Sequence, residues 1–232
     1  MTLAVTSVSQ CRLPLMLLLA TAMAWPSFAE LSSGQEPVGQ SVVSVYDSKT
    51  IGHDTTTWCA TQDSNGVFYI GGDQLLVADG DRWKAYPMGT SYAVRSLEFG
   101  PDGRLWAAGM DELGWFVRTD TGGWTYHSLR NQLPDSVKAL GDVWNVYPTA
   151  DGAIYVSDHH VFQWNGSQFK VTHYEVPRRL VSTRYNGAVY VYHPPTGLLR
   201  IDPSGPVTTA PASSLGPNGL FWMGEMEGKT VY

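Results

Sequence analysis

Cysteine is nearly absent: the 232 residues hold two, Cys11 and Cys59. Charge is sparse as well, at 16% of the chain, with a net charge of −6, no run of one sign and no basic stripe. These scarcities exclude a disulfide framework and argue against nucleic acid or an anionic membrane surface as a direct partner. No apolar run after the first 29 residues is long enough to span a membrane, and no 3.6-residue periodicity appears beyond that point. Helical repeat arrays are therefore excluded. No Gly-rich phosphate loop, paired-cysteine spacing or Ser-His-Asp order is present. Neither a cofactor nor a metal is expected, and no catalytic residue is assigned.

What is plentiful is aromatic side chains, with nine Trp, twelve Tyr and seven Phe, and hydrophobic residues at 43% of the chain. Many aromatics with few charges suit short strands packed face to face. Residues 1–29 form a separate object. Arg12 precedes the apolar run 13–20, and Ser27-Phe28-Ala29 presents small residues two apart before Glu30. This pattern predicts a secretory signal peptide cleaved after Ala29. Cys11 lies before the apolar run, wrongly placed for a lipoprotein acceptor, and Cys59 reads as a small core residue. Residues 30–41 read as a polar linker.

Five glycines then recur before short apolar or aromatic strands: Gly66, Gly103, Gly152, Gly187 and Gly228, spaced by 37, 49, 35 and 41 residues. A tight turn and strand repeating at ~40–50 residues predicts β-propeller blades. The fold class is all-β: an incomplete propeller over 42–232, open as a ring. Four-stranded blades are placed at about 55–88, 93–130, 142–173 and 178–209, with a truncated fifth at 219–232. A lone strand is expected at 42–46, without its closing partner. The spacing from Gly103 to Gly152 leaves room for an extended connection with a helical turn near Arg130–Leu140. Asp63-x-x-Gly66 is similar to an Asp box, in which the Asp pins a turn. Tyr69, Trp106, Tyr155 and Tyr190 stand in one register after their glycines and are expected to pack between blades.

Two segments carry a family resemblance. Val94-Arg95-Ser96-Leu97-Glu98-Phe99-Gly100-Pro101-Asp102-Gly103-Arg104-Leu105-Trp106-Ala107-Ala108-Gly109, followed by Gly114-Trp115-Phe116, resembles the two-component-regulator propeller repeat. Trp58 to Gly72 is a second close match, while the third and fourth units keep the turn and the aromatic but lose the trailing Gly. The resemblance covers about 55–232. It implies an extracytoplasmic sensor region, tethered in the longer protein to a membrane span and an output module, often a histidine kinase. This chain has neither a phosphoacceptor-histidine box nor an ATP lid, so it is not itself a kinase.

Candidate ligand contacts are the loop residues that differ from unit to unit on the rim near the axis: Tyr92, Arg95, Asp111, Glu112, Trp144, His159 and Arg179, with Asp73, Gln74, Met110 and Arg178 beside them. Carboxylates, arginines and aromatics so placed suit a small polar ligand such as a carbohydrate. Asp158-His159-His160 is the only local histidine cluster, and alternation would point its two rings to opposite faces, poor geometry for one metal. The expected partners are this ligand, the missing blades and the output domains; a homodimer of the longer protein stays open. The alternatives are a secreted lyase or glycosidase, with Asp111 and His159 as its candidates, and a scaffold for protein contacts.

Overall fold

The computed structural model describes residues 45–54, 56–79, 82–137, 139–215, 223–226 and 229–231. The signal segment, the linker, residues 42–44 of the expected lone strand and the Glu227-Gly228 turn lie outside them. Val45 and Tyr46 lie in no strand, a correction to the expected one. Next comes a single helical turn, α1 (Ser48–Ile51), capped where Asp47 accepts from the Thr50 amide at 2.7 Å and stopped by Gly52 at φ 76°. One turn is too short to leave a periodic pattern, so the sequence did not show it.

Four antiparallel four-stranded sheets follow, each in simple sequential order. Blade 1 is β1 (Cys59–Gln62), β2 (Phe68–Gly71), β3 (Leu75–Asp79) and β4 (Arg82–Tyr86). Blade 2 is β5 (Val94–Phe99), β6 (Leu105–Gly109), β7 (Glu112–Arg118) and β8 (Trp124–Ser128). Blade 3 is β9 (Val143–Pro148), β10 (Ala153–Ser157), β11 (His160–Trp164) and β12 (Phe169–His173). Blade 4 is β13 (Val181–Tyr185), β14 (Ala188–His193), β15 (Gly197–Asp202) and β16 (Gly205–Pro211). A hairpin, β17 (Gly224–Met226) with β18 (Lys229–Val231), ends the described chain. The long connection carries a 3-10 turn at Arg130–Gln132, in the place the sequence left for one.

The first strands of the blades converge on an axis. β1 lies against β5 and β5 against β9. Side chains of inner strands two blades apart also touch: Arg184 of β13 pairs with Glu98 of β5, and the ring of Trp58, just before β1, meets that of Trp144 in β9 at 6.4 Å. Burial raises the Glu98 carboxyl above its ordinary value against the opposing pull of Arg184.

Packing is between blades. β6 is buried along its whole length because both of its faces are covered. Leu105 and Ala107 join the core shared with blade 1, and Trp106 and Ala108 the core shared with blade 3. Among the described residues blade 1 has a neighbouring blade on one side only, and Phe68 is left 44% exposed. Tyr69, Trp106 and Tyr155 are fully buried between blades, as their recurrence implied, while Tyr190 is only half-buried; the three buried rings do not share a face. Tyr69 and Trp106 look onward, whereas Tyr155 looks back, donating to Gly114 O at 2.8 Å. The loop between the first two strands is five residues long in blades 1 and 2 and four in blade 3, and an odd change in length swaps the faces of a strand. Cys59 is a core thiol, as expected, which burial pushes up to about 12.

Gly103 and Gly152 look alike in sequence and serve different needs. Gly103 adopts φ +77° with open space around it, so asparagine should fit there. A Cβ on Gly152 would sit 2.0 Å from the Trp164 carbonyl oxygen. Gly152→Asn should therefore cost about 1–3 kcal/mol or more, by forcing apart two backbone segments. Urea midpoints should fall for Gly152→Asn and move little for Gly103→Asn; equal shifts would refute the distinction.

Candidate functional site

In an up-and-down blade the first strand begins on the rim that also carries the second-to-third strand loops. Four such beginnings meet here. Arg95 enters β5 at a register shift between Val94 and Ser96, and Trp144 enters β9 opposite a shift between Val156 and Ser157, where Asn145 and Val143 pair but Trp144 is skipped. Each is thus the extra residue of a bulge, a device that re-aims a side chain out of the alternating pattern.

The Arg95 guanidinium carbon lies 3.6 Å from the ring centre of Trp58 and 4.7 Å from that of Trp144. Its Nε and Nη2 donate to the two carboxylate oxygens of Asp142 at 3.0 and 3.1 Å. Asp142 is itself held by a bridge to Met110. The Arg95 side chain is 7% exposed, and its Nη1 is buried with no hydrogen-bond partner among the described residues. Trp144 donates its indole N–H to Asp158 at 2.7 Å, and Arg179 lies 4.3 Å from the centre of the same ring. Between these groups is a cavity of about 320 Å³ lined by Trp58, Arg95, Trp144, Asn145, Arg179, Leu180, Val181 and Ser182.

Three of the expected contacts, Arg95, Trp144 and Arg179, are brought together. The others are not. Tyr92 is 67% exposed and lines none of the cavities described for this chain. Asp111, at φ 53°, binds Arg130 and accepts from the Leu140 amide at 3.1 Å, so its carboxylate ties down the long connection. Glu112 is 3% exposed; it accepts from the hydroxyls of Ser128 at 2.6 Å and Tyr126 at 3.3 Å inside blade 2. His159 is not among the residues that line the cavity; its ring centre lies 6.3 Å from that of His173. Sequence reading missed Trp58 and the acceptors Asp142 and Asp158. Trp58 and Trp144 each stand at the start of an inner strand, a positional signal that was available.

A larger groove of about 630 Å³ opens between blades 3 and 4, but its cations are engaged: Arg184 by Glu98 and the Pro148 carbonyl, Lys170 by the Ser204 carbonyl. Asp63 pins its turn as expected, accepting from the amides of Asn65 and Val67 and the hydroxyl of Tyr69 at 2.9, 3.0 and 2.9 Å.

The histidines form a cluster that strand pairing, not sequence adjacency, creates. His160 and His173 face each other across β11 and β12, with Nε2 and Nδ1 3.1 Å apart, and His173 Nε2 lies 3.1 Å from Glu175. Among the described residues no three His, Cys, Asp or Glu converge as a metal site. Burial, then His173 and His159, lowers the His160 value below 6.5. A histidine with a lowered folded value gives stability that is present above 6.5 and is lost as the pH falls through that lowered value. Acidification should thus lower the melting temperature more in the natural chain than in His160→Gln; identical pH profiles would contradict this.

No protein-family model matches the chain, and no curated protein matches it. Solved structures do. One is the extracellular domain of a B. thetaiotaomicron protein assigned as a one-component system: 19% identity, TM-score 0.47, covering 67% of this chain and 22% of that one. Another is the extracellular domain of a B. thetaiotaomicron protein assigned as a hybrid two-component system: 13% identity, TM-score 0.46, covering 65% and 22%. A third is virginiamycin B lyase from Staphylococcus aureus: 17% identity, TM-score 0.47, covering 67% and 57%. The chain therefore spans about a fifth of the length of the first two. The assignment as a partial propeller rests on the strand order and inter-blade packing given above. Among the described residues no helix is long and apolar enough to cross a membrane.

Proposed function

We propose that this chain is the ligand-sensing part of an extracytoplasmic propeller in a two-component signalling protein, and that it binds a small polar ligand, such as a saccharide, in the cavity at the inner-strand ends. The observation that carries this reading is the convergence of Trp58, Arg95, Trp144 and Arg179, each from a different blade, on one cavity. A ligand there touches four blades at once. Occupancy would favour one relative blade orientation over another, which is what a coupled output module can read. Aromatic walls with a few directed polar groups are the usual make-up of a small-molecule pocket.

Export belongs to the same proposal. Production in a Gram-negative host should yield a periplasmic chain whose N-terminus is Glu30; a cytoplasmic chain retaining residues 1–29 would contradict it. Binding is tested with a panel of neutral and acidic mono- and oligosaccharides. At least one should raise the melting temperature of the natural chain and fail to do so with Trp144→Ala. No response from any compound, together with retention of a protein partner, would favour a scaffold. Conversion of a panel member to product would favour an enzyme.

A further inference from the structure

The lining of the cavity is one-sided in its hydrogen-bonding chemistry. It contains two guanidinium groups and no carboxylate. Asp142 takes up one edge of Arg95, and Nη1 on the other edge is buried with nothing to donate to among the described residues. Arg179 stacks on Trp144 and makes no ion pair among the described residues. The Asn145 side-chain oxygen accepts from Ser182 Oγ at 3.1 Å, and its amide hydrogens make no hydrogen bond among the described residues. The side-chain donors left open in the lining are therefore Arg95 Nη1, the Arg179 guanidinium and the Asn145 amide. A buried charged donor without a partner is costly, and an incoming acceptor recovers that cost.

Resting on the sensing function proposed above, we infer that the ligand carries an oxyanion on a ring, as a sugar acid does. Its carboxylate is received by Arg95 Nη1, Arg179 and the Asn145 amide, and its ring lies along Trp58, which is 45% exposed. A neutral sugar would offer only hydroxyls to two cations. A cationic ligand would meet like charge.

Three probes separate the outcomes: D-galacturonate, D-galactose, which has the same ring but no carboxylate, and inorganic phosphate. The readout is the indole N–H resonance of Trp144 in the purified chain, assigned with Trp144→Phe. Galacturonate and phosphate should shift this resonance, and galactose at equal concentration should not. Arg179 is exposed, so Arg179→Gln should leave the fold intact. It should weaken galacturonate about 10-fold or more, the loss of one charge-assisted hydrogen bond. A galactose response as strong as that to galacturonate, and indifferent to Arg179→Gln, would overturn the oxyanion while keeping saccharide sensing. Silence of Trp144 to both anions at tens of millimolar, while another compound still raises the melting temperature, would also overturn it and move the ligand elsewhere. Silence of the chain to every compound would fail the sensing function as well.

Discussion

Replacing Trp106 by alanine should destabilise the chain by about 3–5 kcal/mol, a large part of the stability of an ordinary domain. The indole is 1% exposed and sits where blades 2 and 3 meet, with its ring centre 5.2 Å from that of Trp115 and 6.3 Å from that of Tyr155. In a repeat array each unit is held by its neighbours, so a void at one interface loosens both units. The control is Trp106→Phe. The indole N–H is buried without a partner among the described residues, so losing it forfeits no hydrogen bond. Urea unfolding should show a much smaller loss for phenylalanine than for alanine. Similar losses would mean that this N–H has a partner or that the interface does not hold the blades.

Arg95→Met has the second large effect, and it separates stability from binding. It leaves Asp142, 20% exposed, without its counter-ion and removes the cation between two indoles. Removing one member of a buried pair costs about 3–5 kcal/mol, and the partial exposure of Asp142 places the expectation toward the lower end. Removing the second charge, as Arg95→Met with Asp142→Leu, should restore much of that stability, because no stranded carboxylate remains. Ligand binding should stay lost in both variants. Recovery of binding in the double variant would remove Arg95 from the site.

The blade plan was legible because each turn signal bounds a short strand, and sixteen strands lie in four sheets where the turns required them. Facing was less legible. Tyr155 and Trp106 share a distance from their glycines yet point to opposite neighbours, because a four-residue loop replaces a five-residue one. Position on a rim identified Arg95, Trp144 and Arg179 but could not separate them from Glu112, whose direction into the blade depends on Ser128 and Tyr126 fourteen to sixteen residues away. The two bulges that aim Arg95 and Trp144 are properties of strand pairing and leave no mark in a single sequence. The His160–His173 contact likewise needs the register of β11 on β12.

Everything proposed depends on inner strands two blades apart reaching one another at the axis. A double-mutant cycle between Trp58 and Trp144, each changed to leucine, measures this directly. Their rings are 6.4 Å apart and share the Arg95 guanidinium. The unfolding free energies should show a coupling of about 1 kcal/mol. Additivity within about 0.3 kcal/mol would mean the two indoles do not meet and that the site does not exist as described.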